Sequence, residues 1–256
     1  MSAIVWITGA SSGLGRQAAL EFARRGYRVA ATARSEDRLQ ELAAEADGLL
    51  GDITAWPGDV TDEARMAEVI EAVERELGPI GIAILNAGIY RPMTVEDFDP
   101  EALAQTFEVN VMGVARPLRP LLARMTARGA GRIYPTASLS GYIGLPMASA
   151  YGMSKAGLIN MAEALHTELK PKGVHFGVIV PGFVKTPLTA KNDFPMPFLM
   201  PVEKAARALV DGVLDGRFEV AFPLPFVLIM KALRFLPYGL ALPLIRRATR
   251  GRRRQA

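Results

Sequence analysis

Two kinds of hydrophobic pattern alternate along this chain. Compact apolar runs at residues 3–8 (AIVWIT), 27–32, 49–56, 80–85, 131–136 and 174–180 read as strands. Between them, residues 16–25 and 36–46, a segment opening at Thr61-Asp62 and a long stretch around residues 100–125 space their apolar positions every three to four, the period of a helix with one buried stripe. A further helix at 202–214 and a short strand near 218–222 follow. Strand and helix in strict alternation predict an α/β fold: a doubly wound parallel sheet with right-handed crossovers and helices on both faces. One residue conflicts with this pattern. Pro135 stands inside what should be a central strand, where it removes a ladder donor.

In a doubly wound sheet, ligands bind at the carboxyl ends of the strands, and the chemically distinctive residues fall there. Gly9-Ala10-Ser11-Ser12-Gly13-Leu14-Gly15 follows the first strand and opens a helix, the unit that presents backbone N–H groups to a phosphate. Its spacing is G-x-x-x-G-x-G. The second strand ends in Ala33-Arg34, with no acid to hold a ribose 2′-hydroxyl and an arginine placed for a 2′-phosphate, which favours NADP(H) over NAD(H). Asp59, after the third strand, is either an acceptor for an adenine amino group or the cap of the next helix. Asn86-Ala87-Gly88 closes the fourth strand. Asn110 lies in a helix interior, so its amide is either solvated or has a task. Tyr151 and Lys155 are one helical turn apart, close enough for the ammonium to favour the phenolate and lower the tyrosine pKa from about 10.

Composition adds three points. Half of the 256 residues are hydrophobic, enough for a sheet covered on both faces. There is no cysteine, which excludes thiolate chemistry and fits a reducing compartment; with no basic leader before the first strand, a cytoplasmic location is expected, either free or at a membrane surface. The net charge of +4 is unevenly spread: eight of the 30 basic residues and none of the 26 acidic ones lie from Phe226 onward. Residues 1–225 thus read as one dinucleotide-binding and catalytic domain, and 226–256 as an amphipathic, Arg-rich helical extension. Its apolar stretch, FVLIMKALRFL, is broken by Pro237 and resumes to Ile245 before Arg246, Arg247, Arg250, Arg252, Arg253 and Arg254. Such a tail either lies on an anionic membrane surface through residues 226–254, packs on another subunit, or is a solubilising end. No nucleic-acid reader module accompanies it. His166 and His175 are isolated and read as structural, and no metal site is expected.

Taken together, Thr8-Gly9-Ala10-Ser11-Ser12-Gly13-Leu14-Gly15, Asn86-Ala87-Gly88, Asn110, Ser138, Tyr151-x-x-x-Lys155 and Pro181-Gly182 resemble, in order and spacing over about residues 3–222, the short-chain dehydrogenase/reductase family. The resemblance implies a Rossmann-type sheet of about seven strands, order 3-2-1-4-5-6-7, and hydride transfer between NAD(P) and a carbonyl or alcohol. It implies Tyr151 as general acid and base, Lys155 as the group that lowers its pKa and holds the nicotinamide ribose, Ser138 as donor to the substrate oxygen, and Asn110 as holder of a relay water. Gly9, Ser11, Ser12, Gly13 and Leu14 would frame the pyrophosphate, Arg34 the 2′-phosphate, Asp59 and Val60 the adenine, and Asn86, with Ala87 and Gly88, the adenosine ribose. Thr186 would meet the carboxamide, beside Pro181, Gly182 and Val184. A homodimer or homotetramer, packed through the Asn110 and Tyr151 helices, is the implied assembly. The chain departs from the family pattern at Leu85, Pro135 and Ala137. Residues 183–200 follow no family pattern; Phe183, Leu188, Phe194, Met196, Phe198, Leu199 and Met200 there suggest an apolar flap and a hydrophobic carbonyl or alcohol substrate. The expected function is an NADP(H)-dependent carbonyl reductase or alcohol dehydrogenase; the alternative is a catalytically silent NADP(H)-binding scaffold or sensor.

Overall fold

Strand β1 (Ile4–Thr8) is buried throughout, and its side chains sort by parity: Ile4 and Trp6 join one buried cluster, Val5 and Ile7 the other. That is the signature of a strand with a hydrophobic layer on each face. The computed structural model describes residues 3–190, 192 and 194–249. Around β1, strands β2 (Val29–Thr32), β3 (Ile53–Ala55), β4 (Ile80–Leu85), β5 (Gly131–Pro135) and β6 (Val174–Phe176) form a parallel sheet of six in the order β3-β2-β1-β4-β5-β6. Helices α1 (Gly13–Arg24), α2 (Glu36–Glu45) and α7 (Val202–Leu214) cover one face. Helices α3 (Glu63–Glu76), α5 (Gly113–Arg128) and α6 (Ser149–Leu169) cover the other. The order reverses between β1 and β4, which opens a crevice at their carboxyl ends.

The apolar run 174–180, expected as one strand, divides at Gly177 into β6 and β7 (Val178–Pro181), and β7 pairs in parallel with β8 (Glu219–Phe222). The cause is Pro135. Ile133 faces Phe176 and Thr136 faces Ile179, so one register runs across the break. On this side of β5, Gly177 N donates to Ile133 O (2.9 Å) and Ala137 N to Ile179 O (2.7 Å). Pro135 lies between those two bonds and has no N–H to offer, so the ladder loses a rung where the strand divides. With β6 and β7 taken as one strand, the sequence of strands is the expected 3-2-1-4-5-6-7.

Two other elements differ from their sequence pattern. Only Ile53–Ala55 of the run 49–56 enters the sheet, because Leu49 and Gly51 spend their N–H groups on Ala46 O and Ala23 O in the turn after α2. The stretch around residues 100–125 is not one helix. It comprises α4 (Pro100–Phe107), a π-helical turn (Glu108–Met112) and α5, and Asn110 sits in the π turn. Helix α4 starts where Asp99 accepts from Glu101 N (2.9 Å) ahead of Pro100 at its first position.

The tail folds as α8 (Leu224–Phe235) and α9 (Tyr238–Thr249), separated at Leu236-Pro237 as the proline requires. Phe226, Val227, Met230, Ala241 and Ile245 join the same buried cluster as Leu139, Tyr142 and Ile143. Arg250, Arg252, Arg253 and Arg254 lie outside the described residues. No helix among the described residues is long and apolar enough to cross a membrane.

A Cβ on Gly177 would stand 2.3 Å from Tyr134 Cε1 and 2.8 Å from Phe218 O, and the Tyr134 ring is fully buried with its hydroxyl donating to Arg217 O (3.0 Å). Gly177→Ala is therefore expected to destabilise the fold by about 1–3 kcal/mol, whereas Gly157→Ala, with open space around it on the exposed face of α6, should stabilise by up to about 1 kcal/mol. Urea unfolding midpoints of the two variants check the contrast.

Candidate active site

The loop after β1 is shaped by close approach. Gly9 has φ +67° and a Cβ there would lie 2.8 Å from Ala87 Cα; one on Gly15 would lie 2.5 Å from both Asn86 Nδ2 and Gly9 O. Asn86 fastens this contact: its N–H donates to Thr8 Oγ1 (3.0 Å) and its amide to Thr8 O (3.3 Å) and Gly9 O (3.4 Å). The loop thus delivers the start of α1 to the crevice. Unlike α3, which Asp62 caps by accepting from Arg65 N (2.9 Å), α1 has no side-chain cap from Ser12 and no acid in its first turn. Its leading N–H groups remain available to an anion.

That helix end opens onto a single cleft of about 1140 Å³ along the carboxyl ends of the strands. Gly9, Ser11, Ser12, Gly13 and Leu14 line its floor at one end, and Arg34 lines the rim after β2. Asp59 and Val60 form the wall after β3, and Asn86, Ala87 and Gly88 the wall after β4. Ser138, Tyr151 and Lys155 stand at the other end, facing Pro181, Gly182, Val184 and Thr186 after β7. Of the two readings open for Asp59, the helix cap is set aside: Asp62 holds that place, and Asp59 accepts from Thr61 N and Thr61 Oγ1, both at 2.9 Å.

Asn110 alone among the sequence candidates is outside the cleft lining. It is fully buried, its Oδ1 accepts from Ile89 N (2.8 Å), and its Nδ2 donates to Ile89 O (3.0 Å) and Ser154 Oγ (3.1 Å). The side chain braces the segment after Gly88 against α6. The π turn makes this possible by turning a polar residue inward, a recurrent use of such bulges.

Tyr151 and Lys155 do meet on one turn of α6, with Lys155 Nζ 5.5 Å from the centre of the Tyr151 ring. Their electrostatics differ from the sequence expectation. Burial pushes the Tyr151 phenol up to about 12; the Ser138 hydrogen bond pulls it down and Tyr90 adds to the rise. Burial also holds the Lys155 ammonium down, to about 7. Lys155 donates to Thr136 O at 2.7 Å, and neither residue gains enough from the other to offset loss of water. From the protein's own groups, Tyr151 is therefore a protonated phenol at neutral pH, a proton donor in position rather than a standing phenolate.

Comparison with known proteins agrees with this geometry. Residues 3–195 match the model of the family described as short chain dehydrogenase. A Myxococcus xanthus protein named as an uncharacterized oxidoreductase is 38% identical over 231 residues, 90% of this chain and 91% of that protein. The 3-oxoacyl-(acyl-carrier-protein) reductase of Thermotoga maritima is 33% identical over 212 residues, covering 83% and 82% of the two chains. The chain belongs to the short-chain dehydrogenase/reductase family of oxidoreductases. A short-chain dehydrogenase from Sphingobium yanoikuyae, solved in complex with NADPH, superposes with a TM-score of 0.78 at 28% identity over 99% of this chain and 97% of that one.

Within this short-chain dehydrogenase, four cleft features escaped the sequence reading. Arg38, in the first turn of α2 and four residues after Arg34, lines the same rim, and neither arginine makes an ion pair among the described residues. Tyr90 meets Tyr151 edge to face at 5.1 Å. Thr136 Oγ1, buried at the cleft, has no hydrogen-bond partner among the described residues. Phe226 comes from the tail and stacks on Phe183 (5.6 Å, 18° between planes), and only the tertiary fold brings it there. Of the apolar flap, Phe183, Leu188 and Phe194 line the cleft. Met200 does not: it is buried in the core on the α7 face, its N–H donating to Phe183 O (2.9 Å).

Because Lys155 titrates near 7 in the fold and at an ordinary 10.5 unfolded, the unfolded chain holds the extra proton between those values, and stability rises with pH there. From about pH 7.5 to about pH 9.5, the native protein should gain roughly 2 kcal/mol relative to Lys155→Met. Tyr151 acts oppositely, removing stability as pH rises from about 10 to about 12. Denaturant midpoints at several pH values check both; parallel curves for protein and variant would contradict the Lys155 assignment.

Proposed function

We propose that this chain is an NADP(H)-dependent oxidoreductase that interconverts a ketone or aldehyde with the corresponding alcohol, acting on a hydrophobic substrate. One observation carries the reading. Ser138, Tyr151 and buried Lys155 line the same cleft as the uncapped N-terminus of α1 and the arginine pair Arg34 and Arg38. The donor set fits a dinucleotide: free helix N–H groups suit a pyrophosphate, the arginines suit a 2′-phosphate, and Ala33 supplies no competing carboxylate. A bound nicotinamide would supply or accept the hydride. Ser138 would then hold the substrate oxygen where negative charge grows, and Tyr151 would give that oxygen its proton in reduction and remove it in oxidation. Lys155, fixed by Thr136 O, would hold the ribose and favour the phenolate when Tyr151 has given up its proton. Asn110 would keep the segment after Gly88 in place.

The apolar side of the cleft, with Leu145, Phe183, Leu188, Phe194 and Phe226, supports a hydrophobic carbonyl compound. So does the Thermotoga relative, whose name specifies a 3-oxoacyl substrate. A silent scaffold accounts for the glycine loop but not for Ser138, Tyr151 and Lys155 converging. Self-association would use α4–α6 and the π turn, where Met112 and Met153 are exposed.

NADPH oxidation with a panel of ketones tests the reading. Turnover should favour a long-chain ketone over a small polar one, and Tyr151→Phe should lower kcat by about 10²–10⁴-fold. Full activity in Tyr151→Phe, or no turnover with any ketone, would overturn it. Replacing Arg34 and Arg38 by alanine should raise KM for NADPH by about tenfold or more while leaving NADH turnover unchanged, as loss of charge-assisted bonds to a phosphate predicts.

A further inference from the structure

Helices α8 and α9 bury one side and leave the other bare. Leu224, Leu228, Phe235, Tyr238, Leu240 and Leu244 are each at least half exposed, while Phe226, Val227, Met230, Ala241 and Ile245 fill the core. The pairs Leu224/Leu228 and Leu240/Leu244 are one turn apart and so share a face. Scattered apolar residues on a surface are ordinary, but a set this dense along two consecutive helices marks an interaction surface.

The charge beside this face identifies what it meets. No acidic residue occurs from Phe226 onward. Lys231 is neutralised by Glu219, and Arg234 lies over the Tyr142 ring at 6.0 Å. Arg246 and Arg247 are exposed and make no ion pair among the described residues, and the sequence adds four more arginines after them.

We propose that the outer face of α8–α9 docks on an anionic lipid surface, with its leucines and aromatic rings in the interfacial layer and its arginines on the headgroups. A second copy of the chain fits less well. A two-fold contact places the same patch on both partners and would set one acid-free arginine cluster against another, whereas acidic lipid compensates the charge. The opposite, inner side of α8 borders the cleft, where Phe226 stacks on Phe183 and on flap residue Phe198 (5.9 Å). The docking itself is independent of the enzymatic reading.

Co-sedimentation of the full chain with phosphatidylcholine vesicles, with and without one third phosphatidylserine, tests this without turnover. The protein should pellet with the anionic vesicles only, and less as salt rises. Arg246→Gln and Arg247→Gln should each lower partitioning about fivefold. Leu228→Glu, Leu240→Glu and Leu244→Glu together should abolish it with the thermal midpoint kept. Pelleting no greater than without vesicles, equal pelleting on both compositions, or arginine variants that pellet like the native protein would each overturn the proposal. So would an assembly in sedimentation velocity that the glutamate variant dissociates while vesicles bind nothing, which would assign the face to a second copy.

Discussion

Lys155 brings an amine to a site only 3% exposed, where its strong partner is the Thr136 carbonyl at 2.7 Å. An ammonium removed from water needs acceptors in fixed positions, because its desolvation is costly and only short, well-aimed bonds offset it. The surrounding structure supplies that fixity. Thr136 is held at the end of β5 by its own N–H on Leu85 O (3.0 Å) and by the next residue's N–H on Ile179 O (2.7 Å). On the helix side, Ser154 Oγ donates to Tyr151 O (2.7 Å) and accepts from Asn110, which is tied in turn to Ile89. Sheet, π turn and α6 therefore converge on one amine, and the Tyr151 phenol beside it inherits its position.

The same burial that fixes the pair also holds each member toward neutrality. Burial alone accounts for the depressed Lys155 ammonium, and it outweighs the pull of Ser138 on the Tyr151 phenol. At the far end of the cleft the electrostatics are reversed: α1 begins with uncapped N–H groups, and the exposed Arg34 and Arg38 have no acidic partner among the described residues. A long anionic ligand is favoured at one end, and a proton is held at the other. The tail belongs to this arrangement through Phe226, and through Glu219, which accepts from both Tyr142 and Lys231 and so joins α8 to the segment following Ser138.

Much of this was legible because the relevant physics is local. The apolar run of β1, the glycines before α1 and the Tyr151–Lys155 spacing depend on neighbours within a few residues, and each has its predicted counterpart in the structure. Pro135 conflicts with a central strand on sequence grounds alone. Its resolution was not foreseeable, since the missing donor faces Gly177, more than forty residues away, and the strand there divides to accommodate it. Asn110 was noticed for its type, but a periodicity argument cannot register the extra residue of a π turn, so the stretch around it read as one helix. The Tyr151–Lys155 spacing and the family resemblance point to a lowered tyrosine pKa, whereas burial, a property of the assembled core, raises it.

By itself, the sequence determined the order of elements, the parallel sheet and the motifs at the strand ends that line the cleft, because side-chain period and turn chemistry act over short distances. Tertiary structure decided the protonation state of Tyr151, the bracing role of Asn110, the approach of Phe226 to the cleft and which side of the tail is bare. Those depend on which groups lose their water and which distant atoms replace it, and that is settled only when the layers close.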